Sequence, residues 1–151
     1  AAWASRLSTP THKTGHLSFK KNHRLLNSKN YKTVFDGVEY KQGGGYFTFL
    51  SRENQLSHSR LGIVVAKKHI PLAVNRNKIK RAIRESFRHH RAGTYNDSCG
   101  VNTHDCLMEQ EKLKMFFDIV VLVKPKAHLL TSIELKKELE KQWLKLSKKQ
   151  N

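Results

Sequence analysis

Apolar positions in this chain repeat with two different periods, and the switches between them mark out the elements. Tyr31, Val34 and Phe35 fall at i, i+3, i+4 between Ser28 and Gly37, which predicts a short helix with one aromatic face, a serine at its start and a glycine at its stop. Tyr46-Phe-Thr-Phe-Leu50 alternates instead, with Phe47 and Phe49 on the core side of a strand and Tyr46, Thr48 and Leu50 on the other. Leu61-Gly-Ile-Val-Val-Ala66 reads as a second, largely buried strand, and the two are expected to pair as an antiparallel hairpin with a long polar loop. Pro71 precedes a long helical pattern over residues 72–91, in which Ile79, Ile83 and Phe87 form one apolar stripe and Gly93 is the stop. Residues 116–123 are apolar enough for a central strand, ended by Pro125. Thr131-Ser-Ile-Glu134 fits a capping box that opens a terminal helix with Leu135, Leu139, Trp143 and Leu146 on one face. The predicted order is helix, strand, strand, helix, strand, helix, with no internal repeat.

The length of 151 residues suits one domain. Residues 1–18 are rich in Ser, Thr and His without periodicity and are expected to be a flexible tail. The domain is expected over 19–147, with 95–114 as a long loop or insertion and 148–151 as a basic tail. The insertion carries Asp97, Asp105, Glu109 and Glu111, an acidic island in a basic chain. No apolar run approaches the length of a membrane span, and no secretory signal is seen. The expected compartment is therefore the cytoplasm, with Cys99 and Cys106 as reduced thiols. Cys99, His104 and Cys106 do not match a common zinc spacing, so an exposed loop is the expectation and no metal site is assigned.

Charge changes the picture most. Twenty-nine Lys and Arg stand against twelve Asp and Glu, a formal +17. Such an excess repels itself in a compact fold, and a polyanion relieves that cost. Nucleic acid is the first candidate, because neutralising phosphates releases counterions. An anionic membrane surface fits less well, since no basic helix carries a broad greasy face.

The charge concentrates in 66–88. At 100° per residue, Arg76, Lys80, Arg84 and Arg88 form a slowly turning ridge, with Asn77 and Arg81 beside it and the apolar stripe on its other flank. Glu85 is the only acid between Lys67 and Arg91. Like charges at i, i+4 cost about 0.2–0.5 kcal/mol per pair in isolated helices, and a phosphate backbone would offset that. A merely solvated charged face is the competing reading. No Ser-His-Asp set or paired carboxylates can be argued, so no catalytic residue is assigned to the protein.

Residue order adds more than charge. Arg76-Asn77-Lys78-Ile79-Lys80-Arg81-Ala82-Ile83-Arg84-Glu85 resembles the signature helix of the bacterial ribonuclease P protein component, Arg-Asn-x-x-Lys-Arg-x-x-Arg-Glu, at all six specified positions. Arg24-Leu25 with Tyr31 and Val34-Phe35, the strand from Arg60 ending in Lys67-Lys68, the strand from Phe117, and Glu140-Lys-Gln-Trp143 resemble further blocks of that family in the same order. Two departures stand out: Lys78 replaces the last arginine of an Arg-Asn-Arg core, and 95–114 is longer than the family pattern.

The resemblance implies an α+β two-layer sandwich, a small mixed sheet packed with helices, with an unusual left-handed β-α-β crossover. It implies a protein subunit that assists a catalytic RNA in cutting the 5′ leader from precursor tRNA. That makes the chain part of a ribonucleoprotein endonuclease, a hydrolase of phosphodiester bonds whose catalytic centre lies in the RNA. The implied partners are the ribonuclease P RNA and the leader of precursor tRNA, with no membrane and no obligate protein partner. No cofactor is assigned to the chain itself, and Mg2+ is implied for the RNA holoenzyme. The RNA-binding helix would use Arg76, Asn77, Lys78, Lys80, Arg81, Arg84 and Arg88. A leader cleft would use Tyr31, Phe35, Tyr46, Thr48, Leu50, Lys67 and Lys68, with aromatic faces stacking on unpaired bases of any sequence. Tyr31 and Phe35 read equally as core residues, and Lys67 and Lys68 also read as an ordinary solvated strand end. A general RNA-binding or ribosomal protein and a protein-only nuclease are the alternatives; leader dependence separates the first, and cleavage without RNA the second.

Overall fold

The structure is a computed structural model that describes residues 19–91 and 115–150. Its elements are α1 (Ser28–Asp36), β1 (Tyr40–Gly43), β2 (Phe47–Asn54), β3 (Arg60–Val64), α2 (Ala73–Arg91), β4 (Phe116–Val123) and α3 (Ser132–Gln150). The four strands form one mixed sheet in the order β1-β2-β4-β3, with β3 parallel to β4 and the other pairs antiparallel.

The strand arrangement departs from the pattern-based expectation in two ways. The expected hairpin between the second and third strands is not formed, because β4 lies between them and pairs with both. Its run Phe117–Val121 is buried without alternation, as a strand covered on both faces must be. The second departure is β1, which the apolar pattern does not announce. Its inward position is a glutamine: Gln42 is buried and its amide donates to Gln142 Oε1 on α3 at 3.3 Å. A polar pair that satisfies itself across a core is invisible to a hydrophobicity pattern. The turn after β1 is tightened from the same helix. At Gly44 a Cβ would come within 2.4 Å of the Gln142 amide nitrogen, and the Gly44 carbonyl accepts from Lys124 Nζ at 2.6 Å.

The main core lies between the sheet and the α2–α3 layer. Ile79, Ile83 and Phe87 of α2 and Leu135, Leu139, Trp143 and Leu146 of α3 pack on Phe47, Phe49, Ile119 and Val121, with all eleven buried. Trp143 is its centre. Its ring meets Phe49 edge-on at 4.7 Å, His90 stacks on it at 4.8 Å, and its indole N–H donates to Ser86 Oγ at 2.9 Å. Beyond the expected two layers, α1 covers part of the opposite sheet face, where Leu25, Val34, Leu50 and Val120 make a second, smaller cluster. The capping box forms as expected, with Thr131 N–H donating to Glu134 at 2.9 Å and Glu134 N–H to Thr131 Oγ1 at 3.3 Å. Residues 148–150, expected as a tail, continue α3. Lys149 donates to the Lys41 carbonyl and Gln150 to Ser51 Oγ, which fastens the helix end to the β1–β2 edge.

The hand of the β3-α2-β4 crossover follows from Leu61. Its side chain joins the core beneath α2, while its carbonyl accepts from Leu25 N at 3.0 Å, on the side away from β4. In a strand of L-residues running upward, a side chain aimed at the viewer places its own carbonyl on the right. Seen from the helix layer, β4 therefore lies to the left of β3, and the connection passing in front through α2 moves left. The crossover is left-handed, against a right-handed rule obeyed in about 98% of such units.

His90 gives this core a pH dependence. Burial lowers its pKa from 6.5 to about 4. A histidine lowered on folding is held neutral, so its stability contribution is complete above the unfolded value and is lost as pH falls towards the folded one. Chemical denaturation should show stability constant above about pH 7 and falling by about 2–3 kcal/mol between pH 6.5 and 4. His23, lowered chiefly by desolvation, adds in the same direction.

Candidate RNA interface

The basic helix is displayed as its period requires. The stripe of Ile79, Ile83 and Phe87 is buried, and this turns Asn77, Lys78 and Arg81 fully outward and leaves Lys80, Arg84 and Arg88 half-buried on the flank. The seven residues of the proposed contact do not behave alike. Arg76 folds back on its own helix start, where its guanidinium donates to the Ile70 carbonyl at 2.9 Å and also to that of Pro71. Arg88 is held by Glu85, which also accepts from His89 at 3.0 Å. Glu85, the lone acid of the helix, thus orders its last turn. Arg81 and Arg84 make no hydrogen bond or ion pair among the described residues.

The leader-cleft residues separate into three groups. Tyr31 and Phe35 stand one turn apart on α1, Tyr31 half-buried and Phe35 44% exposed. Between them Val34 is fully buried and fixes the helix on the sheet. The Tyr31 ring lies on Gly62 of β3, where a Cβ would come within 2.6 Å of ring carbon Cε1. That close approach explains a glycine in an otherwise branched strand. Thr48 lies in register with Leu122, and Leu122 with Val64, so these three share the face that α1 only partly covers. Lys67 and Lys68 are exposed in the turn that follows β3.

Leu50 and Tyr46 do not join this surface. Leu50 is buried beneath α1 in the smaller cluster, because the face opposite the main core is itself packed at that row. It supports the surface and cannot stack on a base. Tyr46 precedes β2 and packs against the main core, so the strand alternation does not extend to it.

At the β3 edge a cleft of about 240 Å³ brings the two sets together. Tyr31 from α1, Lys80 and Arg84 from α2, and Phe19 and Arg24 from the segment that precedes α1 line it. Arg24 lies over the Phe19 ring at 5.0 Å and donates to the Phe19 carbonyl at 3.3 Å. The cleft therefore combines two aromatic side chains, the half-buried Tyr31 and Phe19, with two cations on a rigid helix. Phe19, Arg24 and Gly62 are contributors that the sequence reading did not assign to the site; Arg24 stood in a block resembling the family, and Phe19 lay at the expected domain start with no periodicity to place it. Cys99, His104 and Cys106 lie outside the described residues. No group of three His, Cys, Asp or Glu side chains able to hold a metal occurs among the described residues, nor does a helix long and apolar enough to cross a membrane.

Fold and site together define a class: a small, strongly basic α+β protein that carries its charged helix on a left-handed β-α-β unit. A family model described as Ribonuclease P matches residues 19–147. The chain belongs to that family of ribonuclease P proteins. The ribonuclease P protein component of Stutzerimonas stutzeri (strain A1501) is 37% identical over 130 residues, covering 86% of this chain and 84% of that protein. That of Aliivibrio fischeri (strain ATCC 700601 / ES114) is 39% identical over 130 residues, covering 86% and 93%. Among solved structures, a mutant RNase P protein of Staphylococcus aureus aligns with a TM-score of 0.64 at 28% identity, over 85% of this chain and 90% of that one. The RNase P protein of Thermotoga maritima, in complex with 1-(4-fluorophenyl)-2-thiourea, gives 0.56 at 28% identity over 77% and 92%.

Proposed function

We propose that this chain is the protein subunit of ribonuclease P, docking on the catalytic RNA through α2 and holding the 5′ leader of precursor tRNA beside it. The observation that carries this reading is the cleft at the β3 edge, where Tyr31 meets Lys80 and Arg84. A single-stranded segment needs a ring to stack on and cations for its phosphates, and neither reads sequence. A protein that serves every precursor tRNA needs that tolerance. Thr48, Leu122 and Val64 lie side by side across the sheet on the face opposite the main core, and Lys67 and Lys68 follow β3 in an exposed turn, which in this reading continues the path of the strand.

The protein's part in the reaction is positioning and charge. Arg81 and Arg84, without a hydrogen bond or ion pair among the described residues, would engage phosphates, and Arg also offers a planar fork and a stacking face. Cations fixed on a buried scaffold lower the repulsion between the two RNAs, which reduces the magnesium needed to bring them together. In this reading the magnesium ions and the endonucleolytic step that forms the mature tRNA 5′ end belong to the RNA, and the setting is the cytoplasm.

The direct test is cleavage of precursor tRNA at low magnesium with a bacterial ribonuclease P RNA, with and without the chain, and with the chain alone. Cleavage only in the combined reaction is expected; cleavage by the chain alone would establish a protein nuclease instead. A sharper test uses Gly62→Val, which displaces the Tyr31 ring without touching RNA. Loss of one stacked base, about 1–3 kcal/mol, predicts roughly tenfold weaker binding of precursor tRNA and unchanged binding of mature tRNA. Equal losses for both substrates would remove Tyr31 from leader recognition.

A further inference from the structure

The outer face of α3 has no role in the reading above. Leu135, Leu139, Gln142, Trp143 and Leu146 turn inward, so the opposite side faces solvent. Lys137, Lys141, Lys145 and Lys148 all fall within an arc of about 80° on that side at 100° per residue, and all four are exposed. Each step of four residues rises about 6 Å, a separation comparable to that of successive phosphates along one RNA strand.

A solvated surface helix usually neutralises such a row with acids one turn away. Here the acids of α3 are engaged elsewhere. Glu134 closes the capping box with Thr131, Glu138 accepts from Gln142 at 2.8 Å, and Glu140 pairs with Lys136 at 4.0 Å. Lys141, Lys145 and Lys148 make no ion pair among the described residues, and Lys137 has only the electrostatic influence of Glu134, itself occupied by its cap. The row is also held rigid. Trp143 anchors its middle to α2, and Lys149 and Gln150 fasten its end to β1 and β2.

We propose that this lysine row is a second phosphate-backbone contact for the ribonuclease P RNA, separate from the α2 ridge. The inference rests on the subunit reading. The RNA subunit is the partner rather than the leader because α3 shares a layer with α2, while Tyr31 and Thr48 lie across the sheet. The α2 ridge lies on the flank of α2 turned away from α3, as the hollow between the two helices is lined from α2 by Ala82, Glu85, Ser86 and His89 and from α3 by Ser132, Lys136 and Glu140, with none of Arg76, Lys80, Arg84 and Arg88. A different stretch of RNA backbone therefore meets each helix.

The test is binding of the full chain to ribonuclease P RNA across a salt series, comparing the wild type with two quadruple variants. Lys137→Gln, Lys141→Gln, Lys145→Gln and Lys148→Gln together should make the log–log salt slope shallower by about 3 and weaken binding at least tenfold at physiological salt. The matching four Lys→Arg changes should keep the wild-type slope, and both variants should melt with the wild type. An unchanged slope in the glutamine variant would overturn the proposal and leave the row a solvated face. A loss that appears only with leader-bearing tRNA would overturn the choice of partner. Failure of the wild type itself to bind the RNA would overturn the subunit reading on which the proposal rests.

Discussion

Replacing Arg81 and Arg84 together by alanine should weaken assembly with the ribonuclease P RNA by about two orders of magnitude or more, with the melting temperature unchanged. Hydrogen bonds to charged groups are worth about 1.5–3 kcal/mol each, and these two side chains hold none within the described protein, so all of their loss falls on the complex. The salt slope should drop by about 2, one unit per phosphate contact. The choice of pair matters. Arg76 heads the family motif, yet it braces the carbonyls of Ile70 and Pro71. Arg76→Ala should therefore lower the melting temperature as well as RNA affinity, and it cannot separate the two roles. Binding titrations at several salt concentrations decide the matter; a double variant with the wild-type slope would remove α2 as the docking helix.

Trp143→Ala should cost about 3–5 kcal/mol, the range for emptying a large aromatic site in a core. The expected loss lies at the upper end because this ring ties α3 to both of its neighbours: Phe49 in the sheet, and Phe87, His90 and, through its N–H, Ser86 on α2. Stabilities of whole domains are only about 5–15 kcal/mol, so the variant should lose a large fraction of its stability and melt well below the wild type. Urea denaturation followed by fluorescence of the remaining aromatic residues or by circular dichroism measures it. A loss below about 1 kcal/mol would mean that α3 is not needed to close the core. Trp143→Phe should recover much of the packing and lose the bond to Ser86, which retains its own bond to the Ile83 carbonyl.

The contrast between these two variants shows what could be read from the chain. The three α-helices and the central strand announced themselves, because each has apolar positions in a clear pattern. The capping box at Thr131 and the stripe through Ile79 and Ile83 lie where the spacing put them. Strand neighbours were not legible: nothing in Leu61-Gly-Ile-Val-Val-Ala66 states whether it pairs with β2 or β4, and both choices bury the same residues. β1 was hidden by Gln42, whose burial depends on a partner a hundred residues away in sequence. The basic helix was legible as a site, but the division of its arginines into braces and free groups required the geometry. The face of β2 opposite the main core was read as open because alternation says which residues share a side, and Leu50 shows that it says nothing of what covers that side.

The position of β4 has a consequence for how the chain is made. Synthesis delivers β1 and β2 early, and a hairpin of two strands is marginal in water. β3 then emerges with no neighbour among them, since its only long partner in the sheet is β4. The sheet cannot close until the chain has been extended through Val123, and the Trp143 core only after α3 follows. Until then the apolar strands and the most basic helix stand exposed together on an emerging chain, beside the ribosome's own RNA. Folding that must wait for the last third of a sequence is slow for its size, because distant segments have to meet before any contact rewards them. Truncation at any point before α3 should therefore leave an aggregation-prone polycation rather than a smaller working domain.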